Sequence, residues 1–136
     1  MDLKILEIAS NTENNKVIDN FTHRSKNKNP ICGDEMEISL IVDNDKVIDM
    51  GYQCKSCVYC QASVSLLSQK IKNKKLNEIK DFINSCENIF ENTKIVLERN
   101  WKDFIELLDK KNRPRKECLL LPLRTVLKAL KISWLI

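Results

Sequence analysis

The chain has 136 residues, enough for one domain with a buried core and too few to expect two. An apolar fraction of 43% and a charged fraction of 31% are ordinary for a globular protein, and the net charge of +4 is spread through Asn-Lys pairs rather than gathered in one block. That balance argues against a nucleic-acid footprint.

The start, MDLKILEIAS, carries Asp2 and Glu7 and lacks the basic lead and long apolar stretch of an export signal. Near the other end, the apolar run from Leu119 is broken by Pro122, Arg124, Lys128 and Lys131, so no bilayer span is expected and a cytoplasmic location is. In a reducing compartment, six cysteines point to metal or thiol chemistry rather than a disulfide framework.

In chain order, Leu3, Ile5, Leu6 and Ile8, then Val17, Ile18 and Phe21, predict short helical pieces broken around Asn11 to Asn15. Residues 21–29 are polar and basic without periodicity and read as a mobile connector, which makes residues 1–28 a helical and flexible N-terminal segment of a single domain. Glu35 to Val42 alternates, with Met36, Ile38 and Leu40 on one face. Asp43-Asn44-Asp45 is a turn cluster, and Lys46 to Tyr52 returns, predicting an antiparallel hairpin around residues 35–53. The start of one hairpin strand faces the end of its partner, so Asp34 is expected near Cys54 to Cys57.

Gln61 to Lys72 reads as a helix. Leu76, Ile79, Ile83, Cys86 and Phe90 follow a helical period, as do Leu97, Trp101, Phe104 and Leu108, predicting two amphipathic helices with Cys86, Trp101 and Phe104 in the core. Lys110 to Pro114 is a polar break. A last helix, marked by Leu119, Leu123, Val126, Leu127 and Leu130, is expected to start at or near Cys118. There is no internal repeat.

Three cysteines, Cys54, Cys57 and Cys60, sit at the seam between the returning strand and the next helix. Thiolates rather than thiols bind metal, and a helix N-terminus favours the thiolate through its unpaired donors and positive dipole end. Cys57, Cys60 and Cys118 all fall at predicted helix starts. Zinc accepts a mixture of Cys and Asp as its four ligands. The expectation is therefore that Cys32, Asp34, Cys57 and Cys118 converge on one metal or sulfur-handling site. Their separations are not those of a zinc finger. A second arrangement stays open, in which Cys54-x-x-Cys57-x-x-Cys60, with Cys118 as a fourth ligand, holds a ferredoxin-type cluster for electron transfer or storage.

Three motifs carry a family likeness. Asn29-Pro30-Ile31-Cys32-Gly33-Asp34 resembles the Asn-Pro-x-Cys-Gly-Asp signature of the IscU/NifU-like iron–sulfur assembly scaffolds. Cys57-Val58-Tyr59-Cys60-Gln61-Ala62-Ser63-Val64-Ser65 is similar to their Cys-x-Ile-Ser-x-Ala-Ser-x-Ser helix start, and Arg115-Lys116-Glu117-Cys118 to their Arg-x-Lys-Cys segment. The long stretch from Leu76 to Lys110 looks like the SufU branch. The resemblance implies an α+β fold, a small antiparallel sheet covered by helices. It further implies that Cys32, Asp34, Cys57 and Cys118 bind zinc while Cys32 accepts sulfur from the persulfide of a cysteine desulfurase, or that the same residues build a [2Fe–2S] cluster for apo iron–sulfur proteins. Either role is that of a sulfurtransferase-like or scaffold component, not a small-molecule enzyme.

Departures from the pattern carry their own expectations. Cys54 and Ser56 replace glycines, and Cys60 replaces a serine, leaving Cys54 and Cys60 as accessory thiols or as small residues tolerated at the turn. Glu117 adds negative charge beside Cys118, which tends to raise its thiol pKa. The chaperone-recognition Leu-Pro-Pro-Val-Lys of the IscU branch is absent. The segment before Asn29 is short, so the family's first strand is expected to be missing. Arg115 is placed to orient a thiolate or to meet a desulfurase carboxylate. The lone His23 is expected at the surface, and Trp134 on the domain or at a contact surface.

Overall fold

The computed structural model describes residues 3–30, 33–91 and 97–131. The elements are α1 (Leu3–Ala9), β1 (His23–Lys28), β2 (Glu35–Asp43), β3 (Lys46–Lys55), α2 (Val58–Lys70), α3 (Leu76–Cys86) and α4 (Lys116–Leu130). Short 3-10 helices stand at Ile89–Glu91, Arg99–Ile105 and Lys110–Arg115. The expected α+β class is what forms. Trp134, expected on the domain or at a contact surface, lies outside the described residues, as does Cys32.

The hairpin forms because its turn chemistry and its pattern agree. Asn44 and Asp45 both take positive φ, 52° and 60°, the two-residue geometry whose twist matches paired strands. Met36, Ile38, Leu40, Val47, Met50 and Tyr52 are all buried. Between Ile41 and Val42 the register shifts, leaving Ile48 as an extra residue at a bulge.

The sheet has three strands, not two, in the order β1-β2-β3, all antiparallel. The segment expected to be a mobile connector therefore holds the first strand. Its sequence, HRSKNK, hides this because the strand is an edge and only Ser25 is buried. That inward position holds a hydroxyl that donates to the Thr125 carbonyl of α4 at 2.6 Å, replacing the apolar side chain that would have signalled a strand.

Among the described residues upstream, only α1 is helical. Residues 14–18 instead run along β3, where the Tyr52 amide donates to the Asn14 carbonyl at 3.1 Å. At Gly51 a side chain is excluded, since a Cβ would lie 2.4 Å from the Lys16 carbonyl oxygen.

Helix α2 packs on α1 and α4, and α4 lies across β1 and β2. Buried positions run almost around α2, where Ser63, Ser65 and Ser68 are satisfied by hydrogen bonds to the Leu119, Asn11 and Ser65 carbonyls. The helix expected at Leu97 to Leu108 is instead a 3-10 helix over Arg99–Ile105. Trp101 and Phe104 still meet one cluster, with Phe82 stacked on Trp101 at 4.2 Å and 3° and tilted to Phe104 at 4.9 Å. An i, i+3 pair shares a face in either kind of helix, so the spacing could not tell them apart. The polar break before α4 is ordered as well. Buried Asn112 donates to the Glu106 and Leu107 carbonyls at 3.0 and 3.1 Å, and the Asp109 carboxylate accepts from the Lys111 amide.

Candidate metal centre

Three elements end at one corner of the fold. Asp34 closes the β1–β2 connection, Cys57 stands at the cap position immediately before α2, and Cys118 is the third residue of α4. The turn that delivers Asp34 is held by two backbone bonds of 2.8 Å, from the Asn29 amide to the Asp34 carbonyl and from the Gly33 amide to the Asn29 carbonyl. Gly33 has φ +77°, which favours glycine over any residue with a side chain.

Asp34 Oδ1 accepts from the Cys57 amide at 3.3 Å, so the carboxylate helps satisfy the start of α2. Its other oxygen, Oδ2, is buried without a hydrogen-bond partner. One ligand atom from each of Asp34, Cys57 and Cys118 lies within 4.8 Å of the others, and no other trio of His, Cys, Asp or Glu among the described residues does so. Asp34 and Cys118 are buried, at 7% and 6% exposure, and Cys57 is half-buried. An orphaned buried carboxylate oxygen beside two sulfurs is costly when empty of partners and suits a divalent cation. One hard oxygen with soft sulfurs is a donor set that zinc accepts. The structure thus brings together three of the four expected residues, and the fourth, Cys32, lies outside the described residues.

The neighbouring thiols go elsewhere. Cys54 lies on β3 opposite Met36, half-buried, and borders an open cavity of about 700 Å³ that also touches Lys26, Lys28 and Lys55 but none of the trio. Burial is the main cause that raises its thiol pKa, opposed by the neighbouring Ser56 side chain and reinforced by the Asp34 charge. Cys60 is fully buried within α2, and burial pushes its thiol far above the ordinary range. Cys54, Cys57 and Cys60 are neighbours that feel one another's charge, but they do not form a trio within single-ion distance as Asp34, Cys57 and Cys118 do. Cys86 is fully buried, as expected, and burial pushes its thiol up to about 12.

Other expectations resolve at nearby contacts. Glu117 pairs with Arg124 of the same helix, which also donates to both carboxylate oxygens of Glu87 at 2.7 and 2.8 Å. The arginine thus meets the charge that Glu117 places near Cys118, and its hydrogen bonds hold the Glu87 carboxyl below the usual carboxylate range. Arg115 lies over the Tyr59 ring, 5.3 Å from its centroid. Tyr59 was not legible as part of the site, since it stands where the resembled motif has an isoleucine. His23 is half-buried on β1 beside the Thr22 hydroxyl, and burial lowers its pKa.

Residues 2–98 match the family described as NifU-like N terminal domain. The iron-sulfur cluster assembly scaffold protein IscU of Thermotoga maritima is 31% identical over 128 residues, covering 93% of this chain and 89% of that protein. Among solved structures, a protein of Fervidobacterium islandicum assigned to iron–sulfur cluster assembly in the SUF system superposes with a TM-score of 0.86 at 28% identity, covering 96% of each chain. The N-terminal part of a NifU-like protein from Brucella abortus gives 0.87 at 18% identity, over 96% of this chain and 91% of that one, and shares the fold.

Proposed function

The chain belongs to the NifU-like N-terminal domain family, and from that premise we propose that it serves iron–sulfur cluster assembly, with Cys32, Asp34, Cys57 and Cys118 as the working site. The observation that carries this reading is the meeting of Asp34, Cys57 and Cys118 with the orphaned Asp34 oxygen between two helix starts. As a scaffold, the four residues hold a [2Fe–2S] cluster as cargo, built there and released to apo iron–sulfur proteins. As a sulfur acceptor, the same four hold zinc. When bound, zinc keeps the thiols in their thiolate form.

The sulfur step needs no external redox partner. The Cys32 thiolate attacks the outer sulfur of a cysteine desulfurase persulfide; a new sulfur–sulfur bond forms at Cys32, the old one breaks, and the desulfurase cysteine leaves as a thiolate. Asp34 and the α2 N-terminus hold Cys57 in place through the Cys57 amide. The desulfurase and the recipient apoproteins are the partners this chemistry requires, in the cytoplasm. No helix among the described residues is long and apolar enough to cross a membrane.

Metal and acid-labile sulfide content after anaerobic purification tests the reading, repeated on Cys32→Ala, Cys57→Ala and Cys118→Ala. One zinc without colour supports the sulfur acceptor, and iron with sulfide that leaves readily to an apoprotein supports the scaffold. Sulfur acceptance by Cys32→Ala at the wild-type rate, or metal content unchanged in all three variants, refutes the assignment.

A further inference from the structure

The two thiols of the trio come from helices that are remote in sequence, and their approach depends on how the first turn of α4 is set against the first turn of α2. Two contacts fix that relation. Deep in the fold, the Ser63 hydroxyl of α2 donates to the Leu119 carbonyl of α4 at 2.7 Å, and both residues are about 1% exposed. At the rim, the Arg115 guanidinium lies over the Tyr59 ring at 5.3 Å. Tyr59 follows Cys57 by two residues and Arg115 precedes Cys118 by three, so Cys118 lies along the chain between the two ties. Ser63 is buried and its tie is part of the packed interior. The Arg115–Tyr59 contact closes the outer side, where a half-buried ring at the edge of the core meets an exposed guanidinium.

We propose that Arg115 and Tyr59 form a latch across the two thiol-bearing helix starts, a positioning pair that holds the Cys57 and Cys118 sulfurs at metal-binding separation. Neither side chain is a ligand. Arginine suits the part because its flat, delocalised cation stacks on a ring face, and tyrosine supplies that face from a first helical turn that can bury only one side of it. The aromatic ring stands where the resembled motif carries an aliphatic side chain. The inference rests on the metal-centre reading above, and its test separates the two.

Cobalt(II) is the probe for the filled site, titrated into wild type, Tyr59→Leu, Arg115→Met, the double variant and Tyr59→Phe. A partly exposed cation over a ring corresponds to a change of about two- to fivefold. Each single variant is expected to weaken cobalt binding by that factor and to broaden the ligand-field bands. The double variant is expected to be no weaker than either single one, and Tyr59→Phe, which keeps the ring, to behave as wild type. Far-UV circular dichroism confirms that the variants fold. In parallel, phenylarsine oxide, which captures two thiols held close together, is titrated into metal-free protein carrying Cys32→Ser and Cys54→Ser, with and without Tyr59→Leu. Weaker capture in the Tyr59→Leu background supports the latch whether or not a metal centre forms. Single-variant losses that multiply in the double variant, or arsenical capture unchanged by Tyr59→Leu, overturn it. If wild type itself takes up no cobalt, the metal-centre reading fails, while the arsenical still decides the latch.

Discussion

Cys57 and its neighbours three residues away on either side share a spacing and almost nothing else. Cys57 caps α2, receives the Asp34 carboxylate at its amide and meets Cys118 across the corner, whereas Cys54 stays on the strand and Cys60 turns into the packed face of the helix. The chain changes from a period of two to one of 3.6 between Cys54 and Cys60, so equal steps in sequence become unequal rotations in space. Convergence is decided by what each residue's element packs against.

The sharpest way to break this contrast is to remove a trio sulfur. Cys57→Ala or Cys118→Ala is expected to weaken zinc or cobalt binding by more than about 100-fold, beyond what losing a ligand's hydrogen-bond partner produces. Competitive titration against a chelator measures it. Asp34→Asn can keep the hydrogen bond from the Cys57 amide while removing the charge, and a loss of about 10- to 100-fold is expected in the same titration.

The neighbouring thiols should respond in stability and leave the metal alone. Cys60→Ala is expected to cost about 1 kcal/mol in urea unfolding, by leaving a small void, with cobalt binding within about threefold of wild type. Alkali gives a second view. Cys60 and Cys86 are neutral thiols in the fold with raised pKa values, so the unfolded chain ionises first; their contribution is complete below about pH 9 and is lost as pH climbs toward about 12 for Cys86. Cys86→Ala should flatten the fall of the unfolding midpoint over that range.

The smallest effect belongs to Cys54→Ser, with metal affinity within about twofold of wild type, since Cys54 lies outside the trio and is already half-open to solvent. Its alkylation rate in folded protein should keep rising above pH 9, as its raised pKa requires, while Cys60 is labelled only on unfolding. Peptide mass spectrometry distinguishes the two thiols.

Much of this arrangement was legible in the chain. The hairpin and the helices at Ile79 and Leu123 follow from periodicity, α2 shows it only loosely because it is buried almost all round, and the meeting of Asp34 with the start of α2 follows from the hairpin, because antiparallel pairing brings Glu35 opposite Lys55. The resemblance of three short motifs carried Cys118 to the same corner. Strand β1 was not legible, because its one buried inward residue is a serine bonded to a helix carbonyl. Nor was the 3-10 form of Arg99–Ile105, where aromatic spacing serves both geometries. Tyr59 escaped because its partner, Arg115, is brought to it only by the packing of α4 on α2.

Pro122 stands four residues after Cys118, within α4, and its ring nitrogen has no hydrogen to give the Cys118 carbonyl. The opening turn of that helix is therefore stitched to the rest by one bond fewer. At the start of α2 the corresponding backbone bond is made, the Cys57 carbonyl accepting from the Gln61 amide at 3.0 Å while the Cys57 amide donates to Asp34. A proline one turn into the helix makes this the place where α4 bends most easily, and Pro122→Ala is expected to slow amide exchange just behind it.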